Sequence, residues 1–143
     1  MKNNASALPH RILVVEDIDD IREMLVEVMA LMGYQALTAS NGLEALTVAQ
    51  QEQPDLILMD VWLPFKNGTA AAREIRALPE CAHIPIIRLS ALDEPHNAQG
   101  QPESFAWDAT LTKPVQFDLL ETTIQRLLSA ASHVASRADE IKH

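Results

Sequence analysis

The chain has 143 residues, of which 48% are hydrophobic and 22% charged, and its formal net charge is −9. This length fits one domain with a core large enough to fold without disulfides or a structural metal. The acidic balance argues against nonspecific binding to nucleic acid and against a basic membrane-binding surface, because both depend on Lys and Arg. Cys81 is the single cysteine, so no intramolecular disulfide is possible. Without a signal peptide or an apolar membrane span, the expected location is the cytoplasm.

Five short runs in the chain predict β-strands. Most are continuously apolar and end in a polar residue, which is typical of strands buried on both faces of a sheet. The runs cover residues 12–15, 34–39, 56–59, 84–89 and 109–112. Residues 1–9 are expected to form a flexible leader and residues 132–143 a fraying polar tail, so the folded domain is predicted to cover residues 10–131.

Helical periodicity follows the first two runs. The first helix is expected to begin with a capping box formed by Asp20 and Glu23 and to end at Gly33. Asn41 and Glu44 repeat the capping-box spacing at the start of the second helix. Both helices are therefore predicted to have defined ends.

The region after the fourth strand departs from this regular pattern. Residues 91–107 contain three residues that disfavour helix, which are Pro95, Gly100 and Pro102. Any helix there must be short, broken or displaced. Regular helices are predicted after the third and fifth strands, over residues 68–78 and 117–131. The alternation predicts an α/β fold: a (βα)5 doubly wound, five-stranded parallel sheet with an irregular fourth helix.

Polar side chains stand at the ends of four of the predicted strands. They are Glu16 and Asp17 after the first strand, Asp60 after the third, Ser90 after the fourth and Lys113 after the fifth. The carboxyl ends of parallel strands meet at one edge of a doubly wound sheet, where ligands bind near the switch in strand order. Taken singly, each residue has a simpler explanation as a helix cap, a turn residue or a solvated side chain. Together, and in this order, they predict a functional site.

The acidic members of this set predict a metal site. Three carboxylates in one cleft repel one another, and a bound divalent cation removes that repulsion. Oxygen ligands suit Mg²⁺, which keeps some of its water and also binds phosphate. We expect Asp17 and Asp60 to be direct ligands, Glu16 to act through water and the backbone carbonyl of Trp62 to supply a further oxygen. The side chains of Trp62 and Trp107 are expected to pack against the protein.

The same cleft holds the groups that phosphoryl transfer needs. An aspartate can act as a nucleophile and form an aspartyl-phosphate, and the transfer depends on stabilising the equatorial oxygens. In this interpretation Asp60 accepts the phosphoryl group. Mg²⁺, the Lys113 ammonium and the Ser90 hydroxyl each stabilise one oxygen. Backbone N–H groups after Asp60 complete the cradle.

The chain resembles the receiver domain of bacterial two-component response regulators. The matching segments are residues 12–17, residues 56–60 with Pro64 and Gly68 behind them, residues 89–91 and residues 111–114. The resemblance covers about residues 10–130 and implies the flavodoxin-like strand order 2-1-3-4-5. Family roles fall on Asp60 as phosphoacceptor, Asp17 and Glu16 as metal-binding acids, Ser90 as switch hydroxyl and Lys113 as phosphate-binding lysine. The resemblance also implies that the phosphoryl group comes from a histidine kinase or a histidine phosphotransfer protein.

Three features depart from the family pattern. Thr110 stands three residues before Lys113, where the family usually has Tyr or Phe as a switch aromatic. The prolines and glycine of residues 91–107 fall where the family has a regular helix on its output face. Arg88 stands in a strand position where the family prefers an apolar residue. Signalling is therefore expected to use a different switch or a different surface.

The resemblance implies a signalling switch, one that catalyses only its own phosphorylation and dephosphorylation, rather than a metabolic enzyme. Few residues follow the last helix, so we expect a stand-alone receiver that signals by protein contact or phosphorelay. The downstream protein target is left open, as are a homodimer and a fragment of a larger protein. Neither nucleic acid nor a membrane is an expected partner.

Three alternatives to a phosphoacceptor remain at this stage. A pseudo-receiver would keep the fold as a phosphorylation-independent interaction module. A phosphatase with an aspartate nucleophile usually carries a second Asp two residues later, and Trp62 stands at that position here. A flavodoxin-like FMN protein shares the strand order, but the acidic residues 16–19 would repel the phosphate of FMN.

Overall fold

The computed structural model describes residues 8–90 and 107–142, with side chains as far as residue 131. The described residues form five strands and four helices. These are β1 (Arg11–Val15), α1 (Asp19–Leu31), β2 (Gln35–Ala39), α2 (Gly42–Glu52), β3 (Leu56–Asp60), α3 (Gly68–Ala77), β4 (Ile86–Ser90), β5 (Ala109–Thr112) and α4 (Phe117–Lys142). The irregular helix predicted after β4 falls on residues 91–106 and lies outside the described residues.

The five strands form one parallel sheet in the order β2-β1-β3-β4-β5. The strand order reverses between β1 and β3. Strand β2 pairs with one side of β1, and the chain then returns so that β3 pairs with the other side of β1. This confirms the predicted doubly wound sheet with strand order 2-1-3-4-5. In such a sheet the crevice outside the carboxyl ends of the strands, near the reversal, is where ligands bind.

Helices cover both faces of the sheet and bury two apolar clusters. One cluster packs α2 and α3 against alternate residues of the central strands, including Leu13, Ile57 and Ile86. The other packs α1 and α4 against the intervening residues, including Val14 and Leu58. Every residue of β3 and β4 is buried. Burial on both faces explains why these strands are continuous apolar runs rather than alternating ones.

The two predicted capping boxes have different outcomes. At α2, the Asn41 side chain accepts a hydrogen bond from the backbone N–H of Glu44 (2.8 Å), and the Glu44 carboxylate accepts one from the backbone N–H of Ser40 (2.7 Å). The box predicted from Asp20 and Glu23 is wrong. Helix α1 begins two residues earlier, with Ile18 rather than Asp20 at its N-cap, and it has no side-chain cap.

The end of the last helix also differs from the prediction. The sequence predicts an end near residue 131 and a fraying segment over residues 132–143, whereas α4 runs to Lys142. The physical reason lies in composition, because no Gly or Pro follows Pro114 and so no strong helix breaker ends the helix. Within the described part of the chain, no helix is long and apolar enough to span a membrane.

Candidate functional site

The carboxyl ends of β1, β3, β4 and β5 bring the polar strand ends to one edge of the sheet. Asp60 closes β3 and Ser90 closes β4, and both are buried. The strand register pairs Asp60 with Leu89, so Ser90 stands one residue beyond Asp60 on the neighbouring strand. The backbone N–H of Lys113 donates to the carbonyl oxygen of Ser90 (2.7 Å), which fixes the start of the loop after β5 beside β4.

Lys113 is joined to two of the acidic side chains. Its ammonium Nζ lies 2.7 Å from Oδ2 of Asp60 and donates a hydrogen bond to it. The same nitrogen lies 3.5 Å from Oε1 of Glu16. One cation thus neutralises part of the charge of two buried carboxylates, as a buried acidic pair requires.

Glu16, Asp17 and Asp60 form an acidic cluster. One carboxylate oxygen from each of the three lies within 4.8 Å of the others. Glu16 and Asp60 are buried and Asp17 is exposed, so the cluster opens to solvent on the side of Asp17. The buried Oε1 atom of Glu16 has no hydrogen-bond partner. An oxygen-only donor set with an unsatisfied buried oxygen fits a hard divalent cation such as Mg²⁺.

The ionisation of Glu16 reflects this crowding. The pKa of Glu16 is raised to about 7: burial contributes most and the neighbouring Asp60 acts in the same direction, while the hydrogen bond from the Ile18 backbone N–H and the charge of Lys113 oppose the rise. For Lys113, burial lowers the pKa, but the hydrogen bond and charge of Asp60 together with Glu16 outweigh burial, and the net pKa is raised. Lys113 is therefore a firmly protonated cation at neutral pH.

The loop after β3 holds the second oxygen of Asp60. The backbone N–H of Trp62 donates to Oδ1 of Asp60 (3.1 Å), which orients the carboxylate from the side opposite Lys113. The Trp62 side chain is 60% exposed, so the expectation that it packs is wrong, whereas Trp107 is buried as expected.

Farther along the same loop, the backbone of Phe65 has a φ of 68°. On either side of Phe65, the N–H of Lys66 donates a hydrogen bond to the carbonyl oxygen of Pro64. This backbone conformation is rare outside glycine and costs energy.

Gly68 closes this loop directly behind Asp60. Its N–H donates to the carbonyl oxygen of Val61 (2.8 Å). A Cβ at this position would lie 2.3 Å from the carbonyl oxygen of Asp60 and 2.8 Å from Cα of Val61. The sequence pattern singled out Gly68 only as part of the family resemblance, and the contact itself explains why a side chain is excluded here.

Replacing Gly68 by alanine is expected to destabilise the fold by about 2 kcal/mol, because backbone rather than a flexible side chain must move to admit the methyl group. The shift would displace the Asp60 backbone. Chemical denaturation measures the free energy of unfolding. Gly33→Ala is the matched control, since Gly33 has φ of 91° but nothing within 4 Å of an added Cβ. Gly33→Ala should cost stability without altering the site, whereas a Gly68→Ala protein as stable as wild type would contradict the contact.

The two positions that depart from the family pattern lie opposite each other in the sheet. Thr110 is exposed on β5 and is the register partner of Arg88 on β4. Arg88 is buried, and its guanidinium carbon lies 5.8 Å from the centroid of the Trp107 ring. Sequence reasoning did not find this Arg–Trp pair. The signal available was a charged residue inside an apolar strand, and its partner lies 19 residues away with no periodicity to link them.

Comparison with known proteins identifies the family. The family model described as "Response regulator receiver domain" matches residues 12–125. The polar-differentiation response regulator DivK of Brucella anthropi is 31% identical over 87% of this chain and all of its own length. Protein PilH of Pseudomonas aeruginosa is 34% identical over 83% of this chain and 98% of its own. Other relatives are longer, and the chain spans between 26% and 50% of several of them.

Solved structures agree in fold. The receiver domain of the sensor histidine kinase PA1611 from Pseudomonas aeruginosa superposes with a TM-score of 0.77 at 29% identity, over 85% of this chain and 99% of that one. That structure was determined with a magnesium ion coordinated in the active-site cleft. Because the family model covers most of the chain and DivK matches over its whole length, this protein belongs to the receiver domains of two-component response regulators.

Proposed function

We propose that this chain is a Mg²⁺-dependent phosphoacceptor in which Asp60 takes a phosphoryl group from a histidine kinase or a histidine phosphotransfer protein. The observation that carries the proposal is the contact of 2.7 Å between Lys113 Nζ and Asp60 Oδ2, beside a cluster of three acids. An interaction module without chemistry would have no use for a partly buried lysine held against a buried acidic pair, because such a pair is costly to desolvate.

The chemistry follows from the two oxygens of Asp60. A carboxylate oxygen attacks the phosphorus of the donor, a bond forms between them, and the bond from phosphorus to the donor atom breaks with its electron pair leaving on the donor. When the acyl phosphate forms, the negative charge of the Asp60 carboxylate is lost. The phosphoryl oxygens then bring a larger negative charge into the cleft. The Lys113 ammonium lies at hydrogen-bond distance from Asp60 Oδ2, so it can pair with an oxygen of a phosphoryl group bound to Asp60. The buried Ser90 hydroxyl and the Trp62 N–H would donate to the other oxygens.

Glu16, Asp17 and Asp60 would hold the metal, with the Trp62 carbonyl as a further oxygen ligand. When bound, Mg²⁺ would neutralise the negative charge shared between these acids and the incoming phosphoryl group. The orphaned Oε1 of Glu16 and the solvent-facing Asp17 favour this assignment, because together they leave an oxygen-lined opening between buried and exposed ligands.

The proposal is tested by labelling with a small phosphodonor such as acetyl phosphate. Wild type should acquire one acid-stable, alkali-labile phosphoryl group in the presence of Mg²⁺ and far less in its absence. Asp60→Asn should acquire none. Asp20→Asn is the matched control, because Asp20 is an exposed acid near the same edge of the sheet but outside the acidic cluster. Equal labelling of Asp60→Asn and wild type would refute the assignment of Asp60.

The pseudo-receiver remains the second candidate, favoured by Thr110 at the switch-aromatic position. The two candidates differ in their response to Mg²⁺ alone. Trp62 adjoins Asp60 and is exposed, so its fluorescence should respond to millimolar Mg²⁺ in a phosphoacceptor. A flat titration combined with no labelling would favour the interaction module.

The signalling output belongs to this proposal as well. A phosphorylated receiver of this kind acts as a switch that signals by protein contact or by phosphorelay. The contact would be with a downstream protein target or with a second copy of this chain in a homodimer.

A further inference from the structure

Arg88 is a buried cation with no acidic partner among the described residues. The residue is 9% exposed on the fully buried strand β4, and its Nε atom has no hydrogen-bond partner. Its one described polar neighbour is the Trp107 ring, at 5.8 Å. Burying a guanidinium is costly unless an anion pairs with it, and a ring face compensates only in part.

Trp107 shares this condition. Its ring is 8% exposed, and its indole Nε1 is buried without a hydrogen-bond acceptor. Two buried N–H donors, at Arg88 Nε and Trp107 Nε1, are therefore without acceptors among the residues that the structure describes. Buried donors are almost always satisfied, and each exception calls for an explanation. An arrangement that supplied oxygen acceptors would satisfy them.

The strand register places Arg88 one residue below the level of Asp60 on the neighbouring strand, on the face of the sheet that Ser90 shares. Arg88 pairs with Met59, the residue before Asp60, so its backbone lies about 6 Å from that of Asp60 on the neighbouring strand. Alternate residues of a strand share a face, so Arg88 and Ser90 point to the same side of the sheet, together with Ile86 of the α2–α3 cluster. The long alkyl stem of arginine can carry the guanidinium from one end of this face to the other.

We propose that Arg88 is a second cation of the phosphoryl site, stacked on Trp107 in the unphosphorylated protein and turned toward the phosphoryl group once Asp60 carries one. The inference rests on the proposed function, since it needs an anion at Asp60. A phosphoryl group brings nearly two negative charges and three strong acceptor oxygens, and guanidinium is suited to bind such a group with two N–H donors at once.

The proposal also assigns a role to the missing switch aromatic. Thr110, the register partner of Arg88, carries no ring that can change its position with the state of Ser90. The aromatic ring near this strand pair is that of Trp107, and the guanidinium of Arg88 lies against it. Arg88 stands two residues before Ser90 on the same strand. Departure of Arg88 would leave the Trp107 ring without its cation, so the ring environment reports the state of Asp60.

The experiment uses ¹⁹F NMR on the full chain containing 5-fluorotryptophan, with Mg²⁺ and trifluoroberyllate as the mimic of a phosphoryl group on Asp60. The two resonances are assigned by the loss of one in Trp107→Phe. The Trp62 resonance reports occupancy of the site, because the Trp62 N–H contacts Asp60. The Trp107 resonance reports release of Arg88. Binding is measured in wild type, Arg88→Met, Arg88→Lys and the control Arg126→Met, which removes the same charge from an exposed position on α4.

In wild type both resonances should shift together as trifluoroberyllate binds. Arg88→Met should bind it about tenfold more weakly and lose the shift of Trp107, Arg88→Lys should keep part of the affinity, and Arg126→Met should match wild type. Unchanged affinity in Arg88→Met, or a Trp107 resonance that stays in place while Trp62 shifts, would overturn the role of Arg88 and leave the phosphoacceptor intact. If wild type neither labels nor shifts the Trp62 resonance, the proposed function itself fails, and this inference with it.

Discussion

Replacing Lys113 by methionine is expected to lower the rate of Asp60 phosphorylation at least 100-fold. The ammonium lies 2.7 Å from Asp60 in the described structure, and it donates to Oδ2 before any phosphoryl group arrives. Loss of one such preorganised donor from a buried site removes about 3 kcal/mol of transition-state stabilisation. The rate is measured as incorporation of phosphate from acetyl phosphate at saturating Mg²⁺.

The control for Lys113→Met is Lys66→Met. Lys66 lies in the loop after β3, is partly exposed and forms an ion pair with Glu74 of α3, which is not a member of the acidic cluster. Its loss changes the net charge by the same amount but should leave the rate within about twofold of wild type, because exposed ion pairs contribute little. A Lys113→Met protein that is phosphorylated as fast as Lys66→Met would show that the contact with Asp60 is structural only.

Lys113→Met also carries an expected cost in stability. Without the ammonium, the buried carboxylates of Glu16 and Asp60 lose their shared counter-charge. Removing one partner of a buried ion pair typically lowers the free energy of unfolding by a few kcal/mol, because the charge of the other partner stays buried and uncompensated. Added Mg²⁺ should return part of that stability, because a cation among the acids takes the place of the missing one.

The main features of the fold could be predicted because burial leaves a clear trace in sequence. Residues of β3 and β4 are buried on both faces, so their runs are apolar without interruption and end at Asp60 and Ser90. Once the strands alternate with helices, the handedness of the crossovers and the rules of doubly wound sheets narrow the topology. The position of the site at one edge follows from the same rules.

Features that depend on individual contacts could not be predicted in this way. Helix α1 has its N-cap at Ile18 rather than at Asp20, and at that point the Glu16 carboxylate accepts a hydrogen bond from the Ile18 N–H. Local spacing contains no trace of that contact. The pairing of Arg88 with Trp107 likewise depends on the meeting of β4 with the chain before β5, which only the folded sheet brings about.

The stability of the metal-free protein is expected to fall as the pH rises from about 5 to 8, and Glu16 is the reason. Burial raises its pKa from 4.5 to about 7 in the folded protein. Between these values the folded state binds a proton that the unfolded state has lost, so the stabilisation is complete below pH 4.5 and is lost as the pH passes 7. The difference amounts to about 3 kcal/mol. Urea denaturation at several pH values measures it.

Glu16→Gln isolates this effect, because glutamine keeps the shape of the side chain and cannot ionise. The variant should show a flatter dependence of the free energy of unfolding on pH, and at pH 8 it should be more stable than wild type. Glu23→Gln, an exposed acid on α1, should retain the slope of wild type. Mg²⁺ binds the ionised carboxylate, so the affinity for Mg²⁺ should rise as Glu16 loses its proton. Saturating Mg²⁺ should therefore restore the stability of the folded protein above pH 7. If wild type and Glu16→Gln share one pH profile in the absence of metal, then Glu16 is already ionised in the folded protein, and the cluster holds its three charges by means of Lys113 alone.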